Sequence, residues 1–213
     1  MSSWQKIDGK LKQISVGSAC HVWGVNAGDA IYKRVKNTWQ NIGGSLKHVS
    51  VGADGTVWGV NANDDIYQYV WQWQKVDGKL KQISVGSASH VWGVNASDAI
   101  YKRVNNTWQN IGGSLKHVSV AEDGTVWGVN VNDDIYQYVA NQWQKVDGKL
   151  KQISVGSASH VWGVNASDAI YKRVNNTWQN IEGSLKHVSV GADNTVWGVN
   201  ANDDIFAYTP PVP

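Results

Sequence analysis

The sequence predicts an all-β fold, namely a six-bladed β-propeller of four-stranded antiparallel blades. Three observations predict it. Tryptophan recurs every 34 or 35 residues, each unit of that length holds four short alternating apolar runs, and the two chain ends supply complementary parts of one unit. Four antiparallel strands repeated at a fixed period are typical of propellers, which leave few exposed sheet edges.

The composition favours strands and limits the classes of function. The chain has 213 residues, with 13 Trp and 22 Gly but one Phe and one Met. The net charge is +2 and Lys and Arg are evenly spread, so no basic face for nucleic acid is expected. The single cysteine, Cys20, excludes an internal disulfide. With no signal peptide and no apolar run of membrane-spanning length, we expect a cytosolic protein without membrane insertion.

The repeat unit is about 35 residues long and carries a second tryptophan 19 residues after the first. It reads Trp-Gln-x-Ile/Val, a glycine turn, Leu-Lys-x-Ile/Val-Ser-Val, a loop, Val-Trp-Gly-Val-Asn and Asp-x-Ile-Tyr. A period of about 70 residues overlies it, as in a two-repeat unit copied three times. We predict one domain over residues 1–213, with repeats that start near Trp4, Trp39, Trp73, Trp108, Trp143 and Trp178.

The four alternating runs of the first complete unit are residues 13–17, 22–26, 30–34 and 38–42. Gly, Asn, Asp and Ser clusters separate them and predict hairpin turns. The Ile/Val-Ser-Val-Gly run is expected to be innermost, because its small residues suit the crowded centre of a blade. Residues 4–7 match the fourth run and residues 204–208 the third, so pairing these two segments would complete the sixth blade and close the ring.

One face of the disc concentrates polar residues that are identical in all six repeats. The turn before the innermost strand and the turn after Val-Trp-Gly-Val-Asn should share a face, which brings together a Lys, an Asn and an Asp. An ammonium, an amide and a carboxylate offer the donors and acceptors that neighbouring sugar hydroxyls need, and a Trp face packs well against a pyranose ring.

These positions also have a structural interpretation. Asn and Asp stabilise turns, an exposed Lys–Asp pair contributes only ~0–1 kcal/mol, and a Trp in the second strand commonly packs blade against blade. The predicted carbohydrate-binding residues are Lys12, Trp23, Asn26, Asp29, Lys47, Trp58, Asn61, Asp64, Lys81, Trp92, Asn95, Asp98, Lys116, Trp127, Asn130, Asp133, Lys151, Trp162, Asn165, Asp168, Lys186, Trp197, Asn200 and Asp203.

Neither catalysis nor a metal or other cofactor is expected. No repeat carries a unique constellation, whereas catalytic propellers usually build an asymmetric site from differing blades. The histidines have no metal-ligand spacing, and a site on the three-fold axis would need one class to point into the channel, although propeller side chains mostly face neighbouring blades. The two classes are His21, His90 and His160, and His48, His117 and His187.

The unit Ile-Ser-Val-Gly, Val-Trp-Gly-Val-Asn, Asp-x-Ile-Tyr resembles the tectonin repeat in all six copies, with departures at Ala121, Val131 and Glu182. The resemblance implies a propeller that binds O-methylated glycans, with methylated fucose or mannose as the expected ligand and innate defence against foreign glycans as the expected role. Burying one methyl contributes only ~0.8 kcal/mol, so several sites acting together are expected. A symmetric homo-oligomer, such as a tetramer, would extend this multivalency.

The alternative is a non-catalytic scaffold for protein–protein interaction. Trp71, the one tryptophan outside the repeat pattern, is the candidate contact for a protein partner or for a second copy of the chain.

Overall fold

The computed structural model describes residues 3–209, which form 24 strands in six antiparallel sheets of four strands each. This confirms the predicted six-bladed propeller. Residues 1–2 and 210–213, which belong to the predicted domain, lie outside the described residues. Between residues 3 and 209, no helix is long and apolar enough to cross a membrane.

Each blade is numbered here from its innermost to its outermost strand. Blade 1 contains β2 (Gln13–Ser18), β3 (His21–Val25), β4 (Ala30–Val35) and β5 (Thr38–Ser45). Blade 2 contains β6 (His48–Val51), β7 (Val57–Val60), β8 (Asp65–Val70) and β9 (Gln72–Lys79). Blade 3 contains β10 (Gln82–Ser87), β11 (His90–Val94), β12 (Ala99–Val104) and β13 (Thr107–Ser114).

The second half of the ring repeats this order. Blade 4 contains β14 (His117–Val120), β15 (Val126–Val129), β16 (Asp134–Val139) and β17 (Gln142–Lys149). Blade 5 contains β18 (Gln152–Ser157), β19 (His160–Val164), β20 (Ala169–Val174) and β21 (Thr177–Ser184). Blade 6 contains β22 (His187–Val190), β23 (Val196–Val199), β24 (Asp204–Thr209) and, as its outermost strand, β1 (Ser3–Lys10).

The two ends of the chain close the ring as the sequence predicts. Strand β1 pairs antiparallel with β24, so that Ser3 lies opposite Thr209 and Ile7 opposite Ile205. A second fastening lies at the centre, where the Ser189 hydroxyl accepts a hydrogen bond of 2.9 Å from the Val16 amide. The same serine-to-amide bond joins the innermost strands of the five other blade pairs, at 2.9–3.0 Å.

The outermost strands are longer than predicted, because they continue through the glycines that the sequence suggested as a turn. In blade 1, Tyr32 pairs with Asn41 and Ala30 pairs with Ser45, so β5 passes through a bulge instead of ending at residue 42. Gly44 has a φ of +82°, and a Cβ there would lie 3.0 Å from Cδ1 of Trp73 in the next blade. The glycine therefore allows both the bulge and the close approach of the neighbouring ring.

The hydrophobic core lies between the blades. Between blades 1 and 2, Trp23 is 1% exposed and packs with Ile31 against Leu46 and Val49. Each of the other five junctions has an equivalent cluster. Each blade therefore buries its apolar side chains only when a neighbouring blade covers them.

The β8–β9 hairpin differs from the equivalent hairpins by one missing residue. Trp71 alone forms its turn, has a φ of +65° and is 94% exposed. The blade 1 hairpin has two residues with positive φ, Lys36 and Asn37, at the same place. A left-handed backbone is unfavourable for an indole side chain, whereas Asn tolerates it.

The substitution Trp71→Asn should therefore raise the free energy of unfolding, by about 1 kcal/mol, since it relieves the backbone and removes little packing. Urea unfolding of the two proteins measures the difference. Trp71→Phe, which keeps an aromatic side chain at the same φ, serves as the control and should leave stability nearly unchanged. A loss of stability in Trp71→Asn would show that the indole makes a stabilising contact.

Candidate functional site

The outermost tryptophan of each blade reaches across to the preceding blade. Trp39 in blade 1 donates its indole N–H to the carbonyl of Asp8 in blade 6 at 2.9 Å. Its ring meets that of Trp197 edge to face, with centroids 6.2 Å apart. The equivalent indole bonds occur at the other five junctions, at 2.9–3.2 Å. These tryptophans fix the separation of the blades and hence the width of any cleft between them.

Two kinds of junction alternate around the ring. Between blades 6 and 1, the Arg34 guanidinium lies 5.1 Å from the ring of Trp39 and 5.6 Å from that of Trp197. Between blades 1 and 2, Tyr69 takes the same place and packs against two tryptophans. We call the junctions with Arg34, Arg103 and Arg173 arginine junctions, and those with Tyr69, Tyr138 and Tyr208 tyrosine junctions.

Cavities of ligand size lie at two of the three arginine junctions. The cavity between blades 6 and 1 has a volume of about 300 Å³, and that between blades 2 and 3 about 280 Å³. Such volumes lie at the lower end of the range for small-molecule sites. The first is lined by Gly9, Lys10, Leu11, Asn26, Tyr32 and Trp39. The second is lined by Ile66, Gly78, Lys79, Leu80, Asn95, Tyr101 and Trp108. The junction of blades 4 and 5 repeats the sequence with Gly148, Lys149, Leu150, Asn165, Tyr171 and Trp178.

The asparagine of the cavity shapes its turn through the side-chain oxygen. Oδ1 of Asn26 accepts hydrogen bonds from the amides of Gly28 and Ala30, at 3.0 and 2.9 Å. In blade 2 the side-chain nitrogen of the equivalent Asn61 donates to the carboxylate of Asp65 at 3.2 Å. Alanine replaces that aspartate in blade 1. The Asn26 amide therefore lacks the carboxylate that occupies its counterpart, and it borders the cavity.

Positive charge also distinguishes the arginine junctions. The ammonium groups of Lys6 and Lys10 both lie 2.9 Å from Oδ1 of Asp204, and their hydrogen bonds hold the pKa of that carboxyl well below its usual range. Residues Asn41 and Ser45 stand at the two lysine positions in blade 1. Of these groups, Lys10 lines the cavity between blades 6 and 1, together with Asn26.

The structure distributes the residues predicted to bind carbohydrate over three environments. Lys12 forms an ion pair with Asp29, as do the equivalent residues in the other five blades, which places the two turns on one face as predicted. Trp23 lies in the core between blades. Asn26 and Asn95 are the members of the predicted set that line the two measured cavities. The sugar-binding role of the whole set stays a prediction.

Most of the cavity lining was not among the predicted site residues, including Lys10, Tyr32 and Trp39. Lys10 could have been found from the 70-residue period, because lysine occupies this position in alternate units and serine in the others. No local pattern marks Tyr32 and Trp39, since all six repeats carry an aromatic residue at both positions.

The central channel shows a second alternation. Gln13 lies at the edge of the channel and forms two hydrogen bonds with Val49 of the next blade. Its Nε2 donates to the Val49 carbonyl at 2.9 Å, and its Oε1 accepts from the Val49 amide at 3.1 Å. His48 takes the equivalent place in blade 2 and lines the channel. This corrects the expectation that histidines of this class face a neighbouring blade, because His48 begins an innermost strand, whose edge borders the channel.

Burial keeps the channel histidines neutral. It lowers the pKa of His48 from 6.5 to about 4, with the charges of Lys47 and Lys12 contributing. Burial likewise lowers the pKa of His187 to about 3 and that of His117 well below 6.5, in both cases with further lowering from neighbouring channel histidines.

Comparison with known proteins identifies the family. A family model described as the tectonin domain matches residues 1–42, 30–107 and 88–211. The chain belongs to the tectonin family. No curated protein sequence matches this tectonin.

Solved structures similar to this tectonin share its fold at low sequence identity. In the structure of YCF48 bound to D1 peptide, YCF48 shares 12% sequence identity with this chain, with a TM-score of 0.64. The match covers 95% of this chain and 78% of that one. XC5397 from Xanthomonas campestris, described as a gluconolactonase, is 9% identical with a TM-score of 0.72 and coverage of 97% and 88%. AofleA from Arthrobotrys oligospora is 13% identical with a TM-score of 0.63 and coverage of 99% and 86%.

The lowered histidine pKa values predict that acid destabilises the fold in a defined range. A histidine of the unfolded chain takes up a proton near pH 6.5, whereas folded His48 does so near pH 4. Between these values the unfolded state binds more protons, so the free energy of unfolding decreases as the pH falls. For His48 alone the loss at pH 5 is on the order of 2 kcal/mol.

Urea unfolding at pH 7 and pH 5 measures this loss. The variant H48Q/H117Q/H187Q should show a much smaller difference between the two pH values, because glutamine does not titrate. Asp204 contributes little here, since an unfolded aspartate gains its proton only near pH 3.9. An equal pH dependence in the variant and the original chain would contradict the assignment.

Proposed function

We propose that this tectonin is a multivalent lectin and that its sugar sites are the cavities at the three arginine junctions. The observation that carries the proposal is the combination of an amide without its carboxylate partner and aromatic walls in the cavities of two arginine junctions, and the same residues recur at the third. Asn26, Tyr32 and Trp39 represent this combination in the first copy. Membership of the tectonin family supports it.

The cavity walls suit a sugar that carries a methyl ether. Leu11, Tyr32 and Trp39 offer apolar surface for the C–H face of a pyranose ring and for an O-methyl group. The Asn26 amide, the Lys10 ammonium and the Tyr32 hydroxyl donate hydrogen bonds to hydroxyl or ether oxygens. We therefore propose O-methylated fucose or mannose as the ligand class.

Repetition of the site would compensate for its modest size. Burying one methyl contributes about 0.8 kcal/mol, so a single site distinguishes a methylated sugar only weakly. Three sites related by the pseudo-three-fold axis face the same way and can engage a surface that carries many copies of the sugar, which can raise avidity by ~10²–10⁴. Binding to foreign glycans in innate defence, and assembly into a homo-oligomer, belong to the same proposal.

The proposal includes no catalytic step, because each of the three sites contains the same residues. A protein-interaction scaffold is the second candidate, and the 94% exposure of Trp71 is the observation that favours it. Binding of a partner at Trp71 would be lost in the variant Trp71→Asn and would not be inhibited by free sugar. These two results separate the scaffold function from the lectin function.

The tyrosine of the cavity offers a test with a built-in control. Phe206 occupies this position in the last repeat, so the fold accepts phenylalanine there. The variant Y32F/Y101F/Y171F removes the hydroxyl from the three arginine junctions. Its affinity for the sugar should fall by about 2–13-fold per site, the factor that a hydrogen bond of about 0.5–1.5 kcal/mol represents. Y67F/Y136F, which changes tyrosine junctions, should bind as the original chain does.

A glycan array with methylated and unmethylated sugars would first identify the ligand, and calorimetric titration would then measure affinity and the number of sites. We expect three sites per chain. A stoichiometry of six would assign the sites to every junction, and equal effects of the two tyrosine variants would contradict their location. No binding to any glycan on the array would remove the lectin proposal.

A further inference from the structure

The channel axis brings together three histidines that the sugar sites do not use. His48, His117 and His187 begin β6, β14 and β22, the innermost strands of alternate blades. One ring nitrogen from each lies within 4.8 Å of the other two. Residues nearly 70 positions apart in the sequence thus meet at one point, because the ring places every second blade symmetrically about its axis.

The three rings leave polar atoms without partners. Among residues 3–209, no group forms a hydrogen bond with Nδ1 of His48, His117 or His187, and these atoms are buried. A buried polar atom normally has a partner, so each exception requires an explanation. A bound ion that turned the rings would supply one, since an imidazole nitrogen with a free lone pair is a metal ligand.

Packing alone does not explain histidine at this position. The equivalent glutamines, Gln13, Gln82 and Gln152, each join two blades through their amide groups. The same bonds are not made by His48 and its two counterparts. Histidine at this position therefore lacks the inter-blade hydrogen bonds that glutamine forms at the equivalent position of the adjacent blade.

We propose that His48, His117 and His187 form a three-histidine site for a transition-metal ion on the propeller axis, with Zn²⁺ as the favoured ion. Neutral imidazole nitrogens are typical ligands of Zn²⁺, and three of them leave the fourth tetrahedral position to water. Because the three nitrogens lie within 4.8 Å of one another, each lies no more than about 2.8 Å from a common central point. A Zn–N bond of about 2.1 Å therefore needs only a small inward movement of each ring, which side-chain rotation provides.

The channel accommodates the ion and its water. Its cavity here has a volume of about 40 Å³, more than the roughly 10–15 Å³ that one water molecule requires. A ring of serines that includes Ser50 lines the same cavity. Each serine hydroxyl accepts a hydrogen bond from a backbone amide, as Ser50 does from Val85. Its own hydrogen is therefore free to donate to a metal-bound water. Lys47, the nearest cation in sequence, is neutralised by its ion pair with Asp64.

The experiment uses the full chain without an added histidine tag, freed of metal by a chelator and then dialysed. Zn²⁺ is titrated by calorimetry, and Co²⁺ is titrated as a visible-absorption probe of nitrogen ligation. We expect one ion per chain, a Co²⁺ spectrum of a four-coordinate site, and a melting temperature that rises with Zn²⁺ concentration, since an ion that binds only the folded state stabilises it.

Two matched variants locate the site. H48Q/H117Q/H187Q places at all three positions the residue that the alternate blades already carry. It should weaken Zn²⁺ binding by more than about 100-fold, because loss of a residue that only hydrogen-bonds to a metal ligand typically costs about 10–100-fold. H21Q/H90Q/H160Q changes the other three histidines, each of which contacts a serine hydroxyl, and should bind Zn²⁺ as the original chain does.

The outcomes decide the proposal independently of the lectin function. Absence of Zn²⁺ and Co²⁺ binding at millimolar concentrations would overturn it, and so would undiminished binding in the channel variant. If the triple channel variant does not fold, the single variant H117Q should still lose the four-coordinate Co²⁺ spectrum, and retention of that spectrum would overturn the proposal. Glycan affinity of the metal-free chain is measured separately and does not enter this test.

Discussion

Contact between neighbouring blades is the interaction on which the rest of this structure depends. A four-stranded blade has apolar side chains on both faces, and it buries them only between two other blades. At the centre, the Ser15 hydroxyl accepts a hydrogen bond from the Val51 amide of the next blade. At the rim, the Trp39 indole donates a hydrogen bond to the Asp8 carbonyl of the preceding blade. Both contacts recur at every junction, so each blade is joined to both of its neighbours at the centre and at the rim.

The candidate sugar sites are a consequence of how these junctions are made. Arginine and tyrosine fill the same space between tryptophans in alternate junctions, and the turn beside them carries either Ala30 or Asp65. Where aspartate is present, it binds the Asn61 amide, and where alanine is present, the Asn26 amide borders a cavity. The two kinds of junction thus differ in the side chain between the tryptophans and in the polar residues at the edge.

The residues at the central channel also alternate between neighbouring blades. Gln13 bridges two blades, whereas His48 in the next blade lines the channel with an unpartnered nitrogen. Since the closed ring fixes the distance of every innermost strand from the axis, any residue on the inward side of alternate strands is brought to a common point. Ring closure therefore determines the geometry of both the rim cavities and the axial histidine cluster.

The sequence by itself determined the number of blades, the strand order and the closure of the ring. These depend on the spacing of Trp and turn residues and on the outermost strand that the last repeat lacks and the N-terminal segment supplies, and both are local features that can be counted along the chain. Only the tertiary structure decided which residues meet. Lys10, Asn26 and Trp39 come from two blades and from separate strands or turns, and His48 could face the channel or a neighbour. The distances between such groups are set by blade packing and ring radius, which no local pattern records.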